Sequence, residues 1–228
     1  MQNADILCDT SSLVSLTDSC LDGILHFLHD HFNFRFIIPP SVEAEAITRP
    51  ISGGLKQYSF SALKITQAMN RKVVIRVDAD TKDEAEKILN LTNNLFFIKG
   101  RPLRLVHLGE AEMIGLARVL GLTALLIDER TTRMLIEAPF KIKEHLEQEF
   151  GVNIMINKDN LMQFSEFTKG MEIIRSSELL ILAYENGYFD HFDKIKRNVL
   201  EAALYKVKFS GCAIRFDEID TFVKNIRI

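Results

Sequence analysis

A chain of 228 residues that is 47% hydrophobic and 26% charged, with 11 Gly and 5 Pro, is excluded from the collagen-like, low-complexity and wholly disordered classes. Its length suits one large domain, or one ordinary domain with an appendage. The 28 Lys plus Arg against 31 Asp plus Glu leave a net charge of −3, which excludes a generally basic surface, so any nucleic-acid contact must be local.

Three cysteines, Cys8, Cys20 and Cys212, are odd in number and scattered, which argues for a reducing compartment rather than a disulfide framework. No CxxC or Cys/His zinc spacing occurs. The segment Met1 to Asp9 has no basic n-region, and apolar runs such as Leu179 to Ala183 are far shorter than a membrane span. The expectation is a cytoplasmic chain with no membrane contact.

In chain order, the apolar run Ala4 to Cys8 predicts a strand, and Asp9-Thr10-Ser11-Ser12 supplies oxygen-bearing residues suited to the N-cap of a following helix. Leu21 to Phe32 has helical spacing, Phe34 to Ile38 reads as a second strand, and Pro39-Pro40-Ser41 starts a helix over Val42 to Ile47. After the Gly53-Gly54 break, a helix is predicted over Phe60 to Met69 and a strand over Lys72 to Val77. A further helix is predicted over Thr81 to Leu91, with Glu84 at capping-box distance from Thr81.

Asn93 to His107 reads as a long loop or irregular hairpin, Gly109 to Leu120 as a helix ended by Gly121, and Thr123 to Ile127 as a buried strand closing on Asp128. Beyond Pro139, a helix to about Phe150, a strand over Val152 to Ile156 and largely helical sequence to Ile228 are expected. Gly187 stops the helix containing Ser177 to Glu185, and Asp217-Glu218-Ile219 opens a last short helix. Repeated strand-then-helix order predicts an α/β protein with a parallel sheet flanked by helices.

Ligands of open parallel sheets bind at the carboxyl ends of the strands, where Asp9 and Asp128 fall. Either one alone reads most simply as a helix cap; the pair is harder to dismiss. Glu43 or Glu45 follows Pro39-Pro40, and Glu110 or Glu112 opens the later helix, each pair about 200° apart around its axis. Glu110, one turn before Ile114, lies nearer the inward face than Glu112. Convergent carboxylates repel one another unless a cation joins them, and Mg²⁺ or Mn²⁺ suits an all-oxygen donor set.

Four ordered stretches, Ile6 to Leu13, Ile38 to Glu45, Leu108 to Ala117 and Leu125 to Arg130, together resemble the PIN domain family. Members of that family are mostly metal-dependent ribonucleases, including VapC-like toxins of toxin–antitoxin pairs and RNA-processing enzymes. The resemblance spans about residues 4 to 157 and implies a PIN-like nuclease domain over 1–157 with a mainly helical C-terminal extension over 158–228. It implies catalytic and metal-holding roles for Asp9, Glu45, Glu110 and Asp128, an additional metal contact from Glu129, and support of the first acid by Thr10, Ser11 or Ser12. Mg²⁺ or Mn²⁺ is the implied cofactor, and hydrolysis of RNA by an activated water the implied reaction. The tail exceeds that of compact toxins and would mediate homodimerisation, hold an antitoxin or other regulatory protein, or shield the site. Retention of the fold as a non-catalytic RNA- or protein-binding module is the main alternative.

Lys99, Arg101 and Arg104 before the Glu110 helix, and Arg130 and Arg133 after Asp128, are candidate RNA-phosphate contacts, with ordinary surface charge or an ion pair as the simpler account of each. Phe96-Phe97 suits base stacking but fits core packing better. The cluster His26, His29, His31 reads as a solvated helix end rather than a zinc set, since no cysteine completes it.

Overall fold

The computed structural model describes residues 4–226; Met1 to Asn3 and the last two residues of the expected helical tail lie outside them. The expected α/β architecture is present. The chain opens with β1 (Ala4–Cys8), α1 (Thr10–Asp18), α2 (Gly23–Phe32) and β2 (Phe34–Ile38), as the apolar runs and the capping residues between them predict. From Pro39 the chain turns helical as α3 (Pro40–Glu43), a π-helical stretch (Ala44–Thr48) and α4 (Arg49–Ser52). A 3₁₀ turn (Lys56–Tyr58), α5 (Ser59–Asn70) and β3 (Val74–Arg76) follow.

Next come α6 (Lys82–Thr92), β4 (Phe96–Ile98), β5 (Arg101–Pro102) and α7 (Leu108–Leu120). Thr81 is the residue before α6, but its side chain makes no cap hydrogen bond, so the expected capping box is absent. The second half contains β6 (Ala124–Leu126), α8 (Arg130–Glu137), α9 (Pro139–Phe150), β7 (Ile154–Ile156) and α10 (Lys158–Phe167). It ends with β8 (Glu172–Ile174), α11 (Ser176–Glu185), a 3₁₀ segment (Asp190–Ile195), α12 (Lys196–Phe209) and α13 (Phe216–Asn225).

Five strands form an all-parallel sheet in the order β3-β2-β1-β6-β8. Strand order reverses between β1 and β6, which makes the crevice at their carboxyl ends the topological switch point. Side chains alternate across the sheet with period two. Ile6, Cys8, Phe36, Ile38, Val74 and Leu126 enter one core, and Leu7, Ile37, Leu125 and Ile127 enter the other. The first core is closed by α1, α2, α5 and α11 to α13, and the second by α6, α7, α9 and α10. In the latter, Gly115 lets α6 and α7 approach closely, since a Cβ there would lie 3.1 Å from Cβ of Glu84.

Two features go further than the sequence reading, the first within its hairpin alternative. The stretch Asn93 to His107 holds an ordered hairpin: β4 pairs antiparallel with β5 and with β7 in a second, three-stranded sheet. Its two-residue turn, Lys99 and Gly100, has positive φ at both positions (49° and 78°), the combination that matches strand twist in tight hairpins. The second concerns residue 157: elements beyond it join the sheet and the core begun before it. The edge strand β8 beyond it pairs with β6, and α11 to α13 supply Leu179, Leu200, Leu204 and Ile219 to the same core as β1 and β2.

Candidate functional site at the carboxyl end of the sheet

Asp9 ends β1 and is the N-cap of α1, where its carboxylate accepts the N–H of Ser12 at 2.7 Å. The hydroxyl of Ser11 donates to its other oxygen at 2.5 Å, and Ser12 Oγ also contacts the carboxylate while lying 2.9 Å from the carbonyl of Leu126 in β6. The Asp9 N–H donates to that same carbonyl at 3.1 Å, so the ends of β1 and β6 are tied together. Burial pushes the Asp9 carboxyl up to about 7; the serine hydrogen bonds pull it down, and the nearby charge of Asp128 adds to the rise. Ser11 and Ser12 therefore hydrogen-bond Asp9, whereas Thr10 serves a different carboxylate.

That carboxylate is Glu45. It lies in the π-helical stretch and accepts from the Thr10 hydroxyl at 3.1 Å. A Cβ on Gly109, at the start of α7, would lie 3.7 Å from Oε2 of Glu45 and 3.9 Å from Oγ of Ser41, so both oxygens face that helix start. The Ser41 Oγ is buried without a hydrogen-bond partner. Glu43 instead points to Arg76, 3.2 Å away, at the end of β3. Of the two glutamates left open by spacing, Glu45 is the one beside Thr10 and Gly109.

Glu110 curls back on its own helix start, accepting the N–H of His107 at 2.7 Å, and takes the Thr132 hydroxyl at 2.5 Å on its other oxygen. Burial raises its pKa, the two hydrogen bonds lower it, and the charge of Glu129 adds to the rise. Glu112 lies elsewhere, in a cleft between α7 and α6 lined by Pro40, Thr81 and Lys82. Glu129 is the N-cap of α8 and spends both oxygens on it, accepting from the N–H groups of Thr131 (2.8 Å) and Thr132 (2.6 Å). Thr132, fully buried and unremarked by sequence, thus joins Glu110 to Glu129.

Asp128 is fully buried. Its two oxygens accept from the N–H (2.8 Å) and hydroxyl (2.7 Å) of Ser176 at the start of α11, and its carbonyl accepts from the N–H of Ala213 at 3.0 Å. Burial raises its pKa, against hydrogen bonds from Ser176, Cys212 and Ser15. The Cys212 thiol is pushed up to about 12, mainly by burial and then by the charge of Asp128, which makes it a poor nucleophile. No motif in the sequence foretells Ser176 or Cys212 as partners of this acid.

Asp9 thus neighbours Asp128, and Glu110 neighbours Glu129, while Glu45 faces Thr10 and the start of α7. Among the described residues, no three His, Cys, Asp or Glu come together as one metal-holding group. Beside Glu45 the surface opens into a cleft of about 490 Å³ whose polar end is Thr10, Ser11 and Glu45 and whose walls include Tyr58 and Phe209.

The cationic candidates are dispersed. Lys99 and Arg101 stand exposed on the hairpin of the second sheet, and Arg104 lines a separate cleft of about 410 Å³ with Asn90, Asn93 and His107. Arg130 is exposed at the start of α8, and Arg133 lies 3.9 Å from Glu137 one turn on. Phe96 is a fully buried core residue, and Nδ1 of His29 and of His31 pair with the carbonyls of Phe34 and Phe27. Among the described residues no helix is long and apolar enough to cross a membrane.

No family model, no curated protein and no solved structure matches the chain.

Proposed function

We propose that this chain is a PIN-like, divalent-metal-dependent endoribonuclease, acting as a toxin or as an RNA-processing enzyme. One observation supports the reading: Asp9 follows β1 at the switch point of the parallel sheet, the next residue, Thr10, donates to Glu45, and Gly109, whose Cβ position would lie 3.7 Å from Glu45, precedes Glu110, although among the described residues no three acids form one metal-holding group. The donors are all oxygen, as a hard cation requires. The upward shifts of Asp9 and Glu110 mark buried carboxylates short of counter-charge, and the buried Ser41 Oγ beside Glu45 is a spare oxygen at the same place.

Asp9, Glu45 and Glu110 would hold Mg²⁺ or Mn²⁺. Such an ion supplies Lewis acidity to a water and to the oxygens of a phosphodiester. The chain's own contribution is orientation. Ser11 and Ser12 fix Asp9, Thr10 turns Glu45, and the His107 N–H with the Thr132 hydroxyl turns Glu110. Ser176 and the start of α8 occupy the oxygens of Asp128 and Glu129, as Ser11 and Ser12 occupy those of Asp9 and His107 with Thr132 those of Glu110.

That engagement of Asp128 favours one second reading, a non-catalytic RNA- or protein-binding module. Cleavage of mixed single-stranded and structured RNA by the purified chain, in Mn²⁺ and in chelator, separates the two. The ribonuclease reading expects fragments that need metal and vanish in Asp9→Asn and Glu45→Gln; intact RNA under every condition, or cleavage indifferent to both substitutions, would overturn it.

A further inference from the structure

A second cleft opens at the start of α7, and its charge is of the other sign. Its volume is about 410 Å³, within the ~300–1,000 Å³ of ordinary ligand sites. Its polar lining is Arg104, His107, Asn90, Asn93 and Asn94 and includes no Asp or Glu, so nothing in it neutralises the Arg104 guanidinium. His107 joins it to the acidic site: this residue lines the cleft while its N–H donates to Glu110 at 2.7 Å. Lys99 and Arg101 stand exposed on the hairpin that leads into it.

Two groups define what fits there. Arg104 offers a cation with a planar fork of donors, matched to a phosphate. Asn93 offers the reverse: its Oδ1 is buried without a hydrogen-bond donor, so it calls for an N–H from the occupant. A phosphodiester or a carboxylate alone satisfies the first and has no proton for the second. A nucleotide satisfies both, and carboxamides are side chains that pair with base edges as donor and acceptor together. The Watson–Crick N–H groups of a base are free only where the base is unpaired. The end of α6 is braced at this place, since Asn94 donates to the carbonyl of Asn90 and Asn160 to the carbonyl of Asn94, each at 2.9 Å.

We propose that this cleft binds one nucleotide unit of single-stranded RNA beside the acidic site, with Arg104 on its phosphate and Asn93, together with Asn90, on the edge of its unpaired base. The proposal rests on the ribonuclease reading and deepens it, naming unpaired RNA as the substrate class and Asn93 as a residue that reads a base. A chain of net charge −3 has to hold RNA at a local cation of this kind.

The test is fluorescence anisotropy of labelled single-stranded oligoadenylate and oligouridylate against the full-length chain in chelator, over a salt series, followed by cleavage kinetics in Mn²⁺. Arg104→Ala weakens binding of both oligonucleotides about tenfold and lowers the slope of log affinity against log salt by about 0.7, the share of one phosphate on a single strand. Asn93→Ala removes an oxygen that pairs with nothing in the fold. It weakens binding of the preferred oligonucleotide several-fold, narrows the difference between the two and leaves the salt slope unchanged. Lys194→Ala, an exposed cation that lines a different cleft, is the control and changes none of these. In cleavage, Arg104→Ala and Asn93→Ala act on KM rather than on kcat.

Cleavage by the wild type with affinity and KM unmoved in Arg104→Ala and Asn93→Ala would overturn the nucleotide cleft while leaving the ribonuclease reading intact. Losses no larger than those of Lys194→Ala would do the same, as would inorganic phosphate that competes as well as a mononucleotide or duplex RNA that binds as tightly as single strands. Binding that follows the two substitutions in a chain that cleaves nothing would keep the cleft and remove the nuclease. No binding and no cleavage by the wild type would remove both.

Discussion

Ser176 gives both of its donors to one acid: its N–H and its hydroxyl reach the two oxygens of Asp128 at 2.8 and 2.7 Å, where both residues are fully buried. A carboxylate removed from water needs such partners, and leaving one oxygen unpaired costs about 1–3 kcal/mol. Ser176→Ala is therefore expected to lose roughly that much stability in urea unfolding, and Asp128→Ala, which strips partners from Ser176 as well, at least as much. An unchanged midpoint in Ser176→Ala would show that the pairing contributes nothing net.

Thr132 does for Glu110 what Ser176 does for Asp128, and it does so across two elements. Its hydroxyl reaches Glu110 on α7 while its N–H is taken by Glu129 at the start of its own helix. Thr132→Val keeps the shape and removes the hydroxyl, so a loss of about 1–3 kcal/mol is expected, with Thr132→Ser close to wild type. Thermal melts of the pair distinguish the hydrogen bond from the packing of the methyl group.

The parts of this site written in local sequence are legible, and the parts assembled by tertiary contact are not. Asp9 and Asp128 stand out because each closes an apolar run, and β1 and β2 have the bounds their patterning predicts. The choice between Glu43 and Glu45 depends on Arg76 and Thr10, which are remote in sequence. α8 escapes a pattern reading because RTTRMLIE is polar and threonine-rich, although Glu129, capping two of its N–H groups, is a start signal. β8 has only three residues, Glu-Ile-Ile, amid helical sequence, so its place at the sheet edge comes from pairing with β6 rather than from pattern. Ser176 lies 48 residues from Asp128, and no spacing rule connects them.

The Asp9 carboxyl sets a pH dependence whose sign is definite. Its ordinary value of 3.8 rises to about 7 in the fold, mainly through burial. Between those values the unfolded chain has released the proton and the folded chain retains it, so stability falls as pH rises through this window, by up to about 1.4 kcal/mol per pH unit. Glu110 and Asp128 are shifted in the same direction and add to the slope. Urea midpoints at pH 5, 6 and 7.5 should decline in wild type and decline less in Asp9→Asn, where asparagine still caps α1. Equal slopes in the two proteins would mean that Asp9 titrates normally.

A divalent cation should act against that decline. Binding to ionised Asp9, Glu45 and Glu110 offsets the cost that burial places on the charged forms of Asp9 and Glu110, so the gain from metal is larger at pH 7.5 than at pH 5, where a proton competes for the same oxygens. At a concentration a hundred times its dissociation constant, Mn²⁺ would add about 2.7 kcal/mol, or roughly 5–10 °C in the melting temperature of a domain this size. Glu45→Gln should abolish the shift, whereas Glu43→Gln, whose carboxylate faces Arg76, should keep it. A shift of equal size in both variants would point to cation binding elsewhere on the acidic surface and would leave the three acids without a shared role.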